Sequence, residues 1–504
     1  MSQPVGTPVA ERPRVDSRPG TTRATSFVRE LSAFDATMVV AGSMIGSGIF
    51  IVSADVARTA PGPAWLLAAW LVAGFLTVAG AVSCGELAAM FPHAGGQYVY
   101  LREAFGPLCG FLYGWTLFAV IQTGTIAAVA VAFAKFLGVL VPWVSAQNQL
   151  IPFVVGSWDF SLTTQRLVAI LSIVVLTWIN CRGVRDAKIV QNLFTVTKVA
   201  GLAVLVCLPL LAGPVTEALR ANFQSGDFWG REPFSLAFLT LLGAALVGPL
   251  FASDAWNNIA FAGEEVKNPE RALPRALLFG TLLVSTLYCV ANISYLSVLP
   301  LWGSAEGATV IERGIQHASE DRVAVAAVQA LFGPIGAVVM AVGLMISTFG
   351  CNNGLILSGP RLYYAMSRDR LFFRGLGTLN IHAVPAVGLV AQGVLASLLC
   401  LSGTYGNLLD YIIFAALLFY VLAVAGIFVL RRRRPDAPRL VRAPLYPWLQ
   451  IVYVAVAAAV MLNLLSAKPR YTWPGLLIVL TGLPVYLFWV YWRRRTDAQS
   501  AAGR

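Results

Sequence analysis

Apolar runs of roughly 20 residues recur along nearly the whole chain, each closed off by Gly, Pro or charged residues. A run of that length matches the roughly 30 Å hydrocarbon layer of a bilayer. The pattern predicts an all-α integral membrane protein with about twelve transmembrane helices. They fall near residues 34–58, 64–90, 106–140, 165–181, 187–212, 235–263, 275–300, 333–366, 384–402, 407–430, 447–466 and 472–492. The third and eighth runs are too long for one perpendicular crossing and are expected to tilt or to continue into solvent. Residues 306–329, polar and then weakly amphipathic, are expected to form an external lid helix.

Two spans depart from the pattern. The first carries Gly46-Ser47-Gly48 in its middle, and the sixth carries Ser253-Asp254 and Asn257-Asn258 where aliphatic residues would be ordinary. An offset of five spans is what two inverted repeats produce, here 34–212 and 235–430, because an odd number of crossings turns the second copy over. Interrupting a helix in lipid leaves N–H and C=O groups unpaired at several kcal/mol each, so a break persists only where protein or ligand satisfies it. The N-terminus of a half-helix favours a carboxylate, and the carbonyls at a C-terminus suit an ammonium. A zwitterionic amino acid has both. Gly46 and Gly48 equally suit close packing between helices, and the matching irregularity in the sixth span is what weighs against that plainer role.

Composition agrees with lipid as the solvent: 58% of residues are hydrophobic and 12% charged, against about 25% charged in soluble domains. The net charge of +12 lies in short loops rather than on one polar face, which excludes a nucleic-acid surface and leaves membrane lipid as the partner. With both termini in the cytoplasm, the inside segments hold Arg12 to Arg29, Arg182, Arg185, Lys188, Lys267, Arg271, Arg361, Arg368, Arg370, Arg374, Arg431 to Arg434 and Arg493 to Arg495. That side carries roughly 26 basic residues against about 8 outside, the asymmetry of a multi-pass protein of the plasma (bacterial inner) membrane. Residues 1–33 are expected to be a disordered cytoplasmic tail, 431–446 a basic cytoplasmic loop, 447–492 the last two spans and 493–504 a second cytoplasmic tail. The seven cysteines are scattered, without a CxxC pair, and the three histidines lie far apart. No metal site, cofactor or enzyme motif is indicated, and no filter-like repeat points to a channel.

Four motifs stand in order along the chain: Met44-Ile45-Gly46-Ser47-Gly48-Ile49-Phe50; Pro92-His93-Ala94-Gly95-Gly96-Gln97-Tyr98; Phe251-Ala252-Ser253-Asp254-Ala255-Trp256-Asn257 with Gly263-Glu264-Glu265-Val266-Lys267-Asn268-Pro269; and Arg361-Leu362-Tyr363-Tyr364-Ala365-Met366 with Arg368-Asp369. Together they resemble the amino acid, polyamine and organocation (APC) superfamily, in particular bacterial relatives of the L-type amino acid transporters. The resemblance implies a five-plus-five inverted-repeat fold with two added C-terminal helices, broken first and sixth helices, and an amino acid substrate between them. It implies that the N–H groups of Gly46, Ser47 and Gly48 hold the substrate carboxylate, and that the carbonyls of Ile45, Phe251 and Asp254 receive its ammonium. Phe251 would close over the substrate beside Ala252, with Asn257 as a polar wall. Gln122, Thr123 and Trp256 are further candidates for the pocket wall. The implied activity is secondary active transport of L-amino acids, neutral ones foremost, by sodium-independent exchange or proton symport. A cationic amino acid or amine antiporter, or a non-transporting sensor on the same fold, is the alternative.

In sodium-independent members a lysine of the fifth helix stands where sodium-driven relatives bind the ion, and Phe194-Thr195-Val196-Thr197-Lys198 is similar to that pattern. Independently, Lys198 lies about eleven residues into an apolar span, where a charge costs about 2.5 kcal/mol or more and needs partners. The carbonyls of Gly42 and Ile45 and the hydroxyls of Ser347 or Thr348 are the expected ones. Many relatives carry Gly where this chain has Asp254; the carboxyl could grip an ammonium, carry a proton, pair with Lys198 or face a vestibule. Animal members of the L-type branch pair through a cysteine in the loop between helices three and four. Residues 141–165 contain none, so no disulfide-linked accessory subunit is expected. Lys135 is expected to snorkel as an interfacial anchor, Thr125, Asn352 and Asn353 to act as helix glue, and Glu264, Glu265 and Lys267 to form either a cytoplasmic gate or a solvated loop.

Overall fold

The computed structural model describes residues 15–16, 23–24, 29–155, 158–230, 236–401, 405–467 and 469–502. Most of the expected tail 1–33 lies outside them, as do residues 503–504 and the side chains of Arg185 and Lys188. The chain is predominantly helical, 76%. In order the helices are α1 (Ala33–Met44), α2 (Gly48–Ile51), α3 (Ser53–Thr59), α4 (Pro63–Met90), α5 (Gln97–Phe105), α6 (Pro107–Thr116), α7 (Gln122–Leu140), α8 (Thr164–Cys181), α9 (Val184–Ala212), α10 (Thr216–Leu219), α11 (Leu236–Ala245), α12 (Val247–Ala252), α13 (Asn258–Phe261), α14 (Pro269–Val298), α15 (Val310–Arg313), α16 (Val323–Arg368), α17 (Ala386–Leu401), α18 (Tyr405–Arg433), α19 (Trp448–Ala467) and α20 (Pro469–Ala502).

Local chemistry sets several of these ends. Ser32 caps α1 with a capping box, its hydroxyl accepting from the Asp35 N–H at 3.2 Å while the Asp35 carboxylate accepts from the Ser32 N–H at 2.8 Å. Pro63, Pro107 and Pro269 open α4, α6 and α14, where a missing N–H costs nothing. A π-turn at Leu117–Ile121 joins α6 to α7 within one long span. Gly333, at φ +66°, kinks α16 just before Pro334.

Among the described residues, nine helices are long and apolar enough to cross a membrane, and three shorter apolar helices accompany them. The apolar stretches of the first and third spans are 83% buried, whereas those of the last two are only 28% and 17% buried. The first set is thus the centre of the bundle and the second its rim. Large apolar side chains on the outside, such as Ile335, Leu462 and Leu487, are well over half exposed, a surface stable in lipid and not in water.

The structure corrects one expectation and adds elements that the apolar runs did not predict. The segment 306–329 is not one lid helix: it folds as the single turn α15, a 3-10 turn at Ser319–Asp321 and the start of α16, because Glu320 and Asp321 take positive φ and stop helix propagation. Residues 97–105 form α5 rather than loop. Short strand pairs, Gln149–Ile151 with Leu162–Thr163 and Val154–Val155 with Trp158–Asp159, occupy the loop before α8. Helices α9 and α20 run beyond the predicted spans, α20 through the expected tail to Ala502.

Candidate functional site

Both irregular spans are broken. Helix α1 ends as Ile45 turns out at φ −72°, ψ 84°. The Gly46 N–H reaches the Met44 carbonyl at 2.8 Å, and the helix resumes at Gly48. In the sixth span α12 ends at Ala252, Asp254 N–H donates to the Phe251 carbonyl at 3.0 Å, and Ala255 adopts φ +66° before α13 starts. A left-handed alanine is an uncommon backbone state, of the kind that gathers at functional breaks.

The breaks touch each other. A Cβ on Gly48 would lie 2.5 Å from the Ala252 Cβ, so only glycine permits this approach. A Cβ on Gly46 would meet the Cys351 sulfur of α16 at 3.0 Å, and that thiol donates to the Ser43 carbonyl at 3.2 Å. Helix α14 satisfies other carbonyls along the first span: Tyr288 donates to Met44 at 2.8 Å and Tyr295 to Ile49 at 3.3 Å, while Ser53 donates to the Asn292 side chain at 2.6 Å. Residues 288, 292 and 295 share one helix face by their spacing, a signal that was available in the sequence.

Beside the sixth-span break lies a narrow cavity lined by Tyr113, Gln122, Thr125, Asp254, Asn257 and Asn258, with Leu355 and Tyr420 across from them. It leaves about the space of one water. Tyr420 of α18 donates to Asp254 at 2.5 Å. The Asn257 amide donates to Gln97 at 2.7 Å and Tyr113 at 3.3 Å, and Gln97 donates to the Phe419 carbonyl at 2.9 Å. Gln122 donates to the Leu355 carbonyl at 2.7 Å. The Asn258 amide nitrogen, fully enclosed, has no hydrogen-bond partner although it lines the cavity. Such a donor is costly unless something else engages it, which makes Asn258, irregular in an apolar span but without an expected role, a candidate site residue.

Not every expected residue joins this cavity. Ile45, Gly46, Ser47, Gly48, Phe251 and Ala252 are buried at the contact of the two breaks rather than on its wall. Thr123 turns its hydroxyl to the Phe118 carbonyl at 3.0 Å across the π-turn, leaving the lining to Thr125, expected only as glue. Trp256 packs on Tyr420, ring centroids 5.1 Å apart, and faces a second cavity behind Asp254.

Lys198 of α9 is buried and donates to the Gly42 carbonyl at 2.7 Å. The other expected partners do not bond it. Thr348 donates to Leu344 in its own helix at 2.8 Å, the Ser347 hydroxyl has no partner, and the Ile45 carbonyl is not engaged by the ammonium. The lysine stem instead passes Gly350, where an added Cβ would lie 3.3 Å from its Cε. Lys198 and Asp254 form no ion pair; Asp254 is held by Tyr420. Among the described residues no group of three or more metal-ligating side chains occurs.

A family model described as amino acid permease matches residues 31–489. The chain belongs to the amino acid permease family. The permease is similar to the serine/threonine exchanger SteT of Bacillus subtilis (strain 168), 30% identical over 463 residues that cover 91% of this chain and 96% of the relative. It is similar to the human large neutral amino acids transporter small subunit 2, 30% identical over 476 residues covering 93% and 81%. It is also similar to the mouse b(0,+)-type amino acid transporter 1, 29% identical over 477 residues covering 94% and 90%. The permease is a multi-pass membrane protein, not an enzyme.

Ion pairs and hydrogen bonds tie helices together at both ends of the bundle. At the end that holds the basic loops, Arg361 of α16 meets Glu265 through two hydrogen bonds of 2.5 and 3.2 Å, with both side chains almost wholly buried. The main chain joins in: Glu30 and Leu31 donate to the Glu265 carbonyl at 3.0 and 2.9 Å, and Lys267 donates back to Leu31 at 2.8 Å. Glu264 accepts from the Ala94 N–H at 3.3 Å. Nearby, burial works against the charged Glu103 carboxylate, but hydrogen bonds from Arg434 and Arg102 outweigh it and hold its pKa below the usual carboxylate value. At the opposite end Arg58 of α3 binds Asp321 at 2.8 Å, and Lys135, expected as an interfacial anchor, donates to the Glu320 carbonyl at 3.1 Å. A cavity of about 300 Å³ lies under this lid, lined in part by Gly138, Arg313, Arg322 and Val325.

Proposed function

We propose that the permease is a secondary active transporter of neutral L-amino acids that works by alternating access, as a sodium-independent exchanger or a proton-coupled symporter. The observation that carries the reading is the meeting of two mid-span breaks at Gly48 and Ala252. Breaks at corresponding positions of two repeats are where such carriers bind substrate. The printed names of the relatives, a serine/threonine exchanger and a large neutral amino acids transporter, support exchange and neutral cargo. The hydrogen bond from Tyr420 to Asp254 supports the same choice, since it occupies a carboxylate that a cationic side chain would need.

On this reading the nine long and three short apolar helices are twelve crossings. Residues 34–212 and 235–430 are inverted repeats, and 447–492 adds two helices. Both termini and the loop 431–446 are cytoplasmic, in the plasma (bacterial inner) membrane. The N–H groups of Gly46, Ser47 and Gly48 take the substrate carboxylate. The carbonyls of Ile45, Phe251 and Asp254 take the ammonium, once Gly48 and Ala252 part and the narrow cavity widens. Asn257 and Gln122 form the polar wall, and Asn258 supplies a waiting donor. No disulfide-linked accessory subunit is required, because residues 141–165 lack cysteine, although one relative is named as a small subunit.

The test is a panel of radiolabelled amino acids in proteoliposomes, varying pH, sodium and internal substrate separately. Uptake of serine or leucine that needs internal substrate or a proton gradient, and is indifferent to sodium, is the expected result. Binding with no counterflow would leave a sensor and end the transporter reading. In the same vesicles Lys198→Ala is expected to slow sodium-free uptake by about tenfold or more, since the Gly42 carbonyl loses its charged partner at roughly 1–3 kcal/mol. Unchanged rates would remove Lys198 from the mechanism.

A further inference from the structure

Among the buried acids, the two glutamates each face an arginine. Glu265 faces Arg361, and Glu86 of α4 faces Arg431 at 2.6 Å and Arg439 at 3.2 Å. Asp254 is equally buried and faces a phenol instead. An ionised carboxylate at that depth costs several kcal/mol without a cation. Lys198, the buried cation of α9, is committed to a carbonyl.

Position adds a second observation. Asp254 and Tyr420 form part of a wall shared by two cavities. The first is the narrow cavity of the candidate site, lined also by Asn257 and Gln122. The second lies behind the break between α4, α12, α18 and α19, and is lined by Thr77, Ser253, Trp256 and Tyr453. Among the described residues no other acid, and no Lys, Arg or His, lines either cavity. The titratable groups facing Asp254 are Tyr420 of α18, Tyr113 of α6 and Tyr453 of α19, with Cys84 of α4 and Tyr363 of α16 further back. Helices α7 and α13 present only amides and a hydroxyl. Phenols and thiols ordinarily stay protonated at neutral pH, which leaves the carboxyl as the one group there suited to exchange a proton.

We infer that Asp254 is a proton-carrying site: its carboxylate takes a proton from water on one side of the membrane, stays neutral while the breaks are closed, and returns the proton to water on the other side. This rests on the transporter reading above and names its coupling ion. Tyr420 orients the carboxyl through Oδ1 and is a positioning residue, not a carrier. No co-reactant is needed, because the proton enters from and leaves to solvent.

Two measurements test this in the full-length protein. In proteoliposomes, wild-type uptake of radiolabelled serine is expected to rise with external acidity, approaching tenfold per pH unit, the limit for one proton. Asp254→Asn, which keeps the main-chain carbonyl and the shape, flattens that profile. Tyr420→Phe retains a pH-dependent rate, displaced from the wild type. Infrared difference spectra at neutral pH are expected to show a protonated carboxylic acid in the wild type that Asp254→Asn lacks. Identical pH profiles in wild type and Asp254→Asn, or uptake without the infrared band, would overturn the proton site while leaving transport standing. The band without any uptake would sink the transporter reading and the coupling together.

Discussion

Arg361→Leu in the detergent-purified protein unfolds at a markedly lower temperature than the wild type, with a loss of about 3–5 kcal/mol, because it strands the buried Glu265 carboxylate. The size follows from enclosure. Both side chains are almost fully buried, and water cannot replace the missing guanidinium. Adding Glu265→Gln to Arg361→Leu removes the orphaned charge and is expected to recover much of the loss, a coupling that a double-mutant cycle measures directly. If the single variant melts with the wild type, the pair contributes nothing and this end of the bundle is held by other contacts. A partial recovery also separates charge from shape, since Arg361 additionally donates to the Leu357 carbonyl in its own helix.

The second large effect is at Gly48. Gly48→Ala is expected to cut amino acid uptake in proteoliposomes by roughly 10- to 100-fold, the rate equivalent of about 1–3 kcal/mol of overpacking. The new methyl group meets Ala252 at 2.5 Å, and backbone as well as side chain would have to give. Thermal stability measured on the same sample shows whether the fold survives. Wild-type uptake rates would mean that the two breaks need not approach for turnover.

The helices were legible because lipid imposes a length and a composition that few other solvents would, and the apolar runs met both. The breaks were legible for a related reason: Gly46, Gly48, Asp254 and Asn257 are residues an uninterrupted span has little use for. Helix α5 was hidden because residues 97–105 carry no long apolar run, and an amphipathic helix of nine residues gives a weak periodic signal. The expected lid helix failed at Glu320 and Asp321, where left-handed backbone overrides the local pattern. Side-chain partners were the least readable. Tyr288, Tyr295 and Tyr420 look like ordinary core aromatics until distant chain segments bring carbonyls and a carboxyl to their hydroxyls. Lys198 shows both sides of this: its need for a partner was evident from depth alone, whereas the choice of Gly42 over Ser347 or Thr348 depends on packing of α9 against α1 and α16.

The short ladder between residues 30–31 and 265–267 ties the chain entering the first span to the chain leaving the sixth. Peptide groups bonded in this way resist shear, so the two segments are yoked and neither can slide past the other without breaking these three hydrogen bonds.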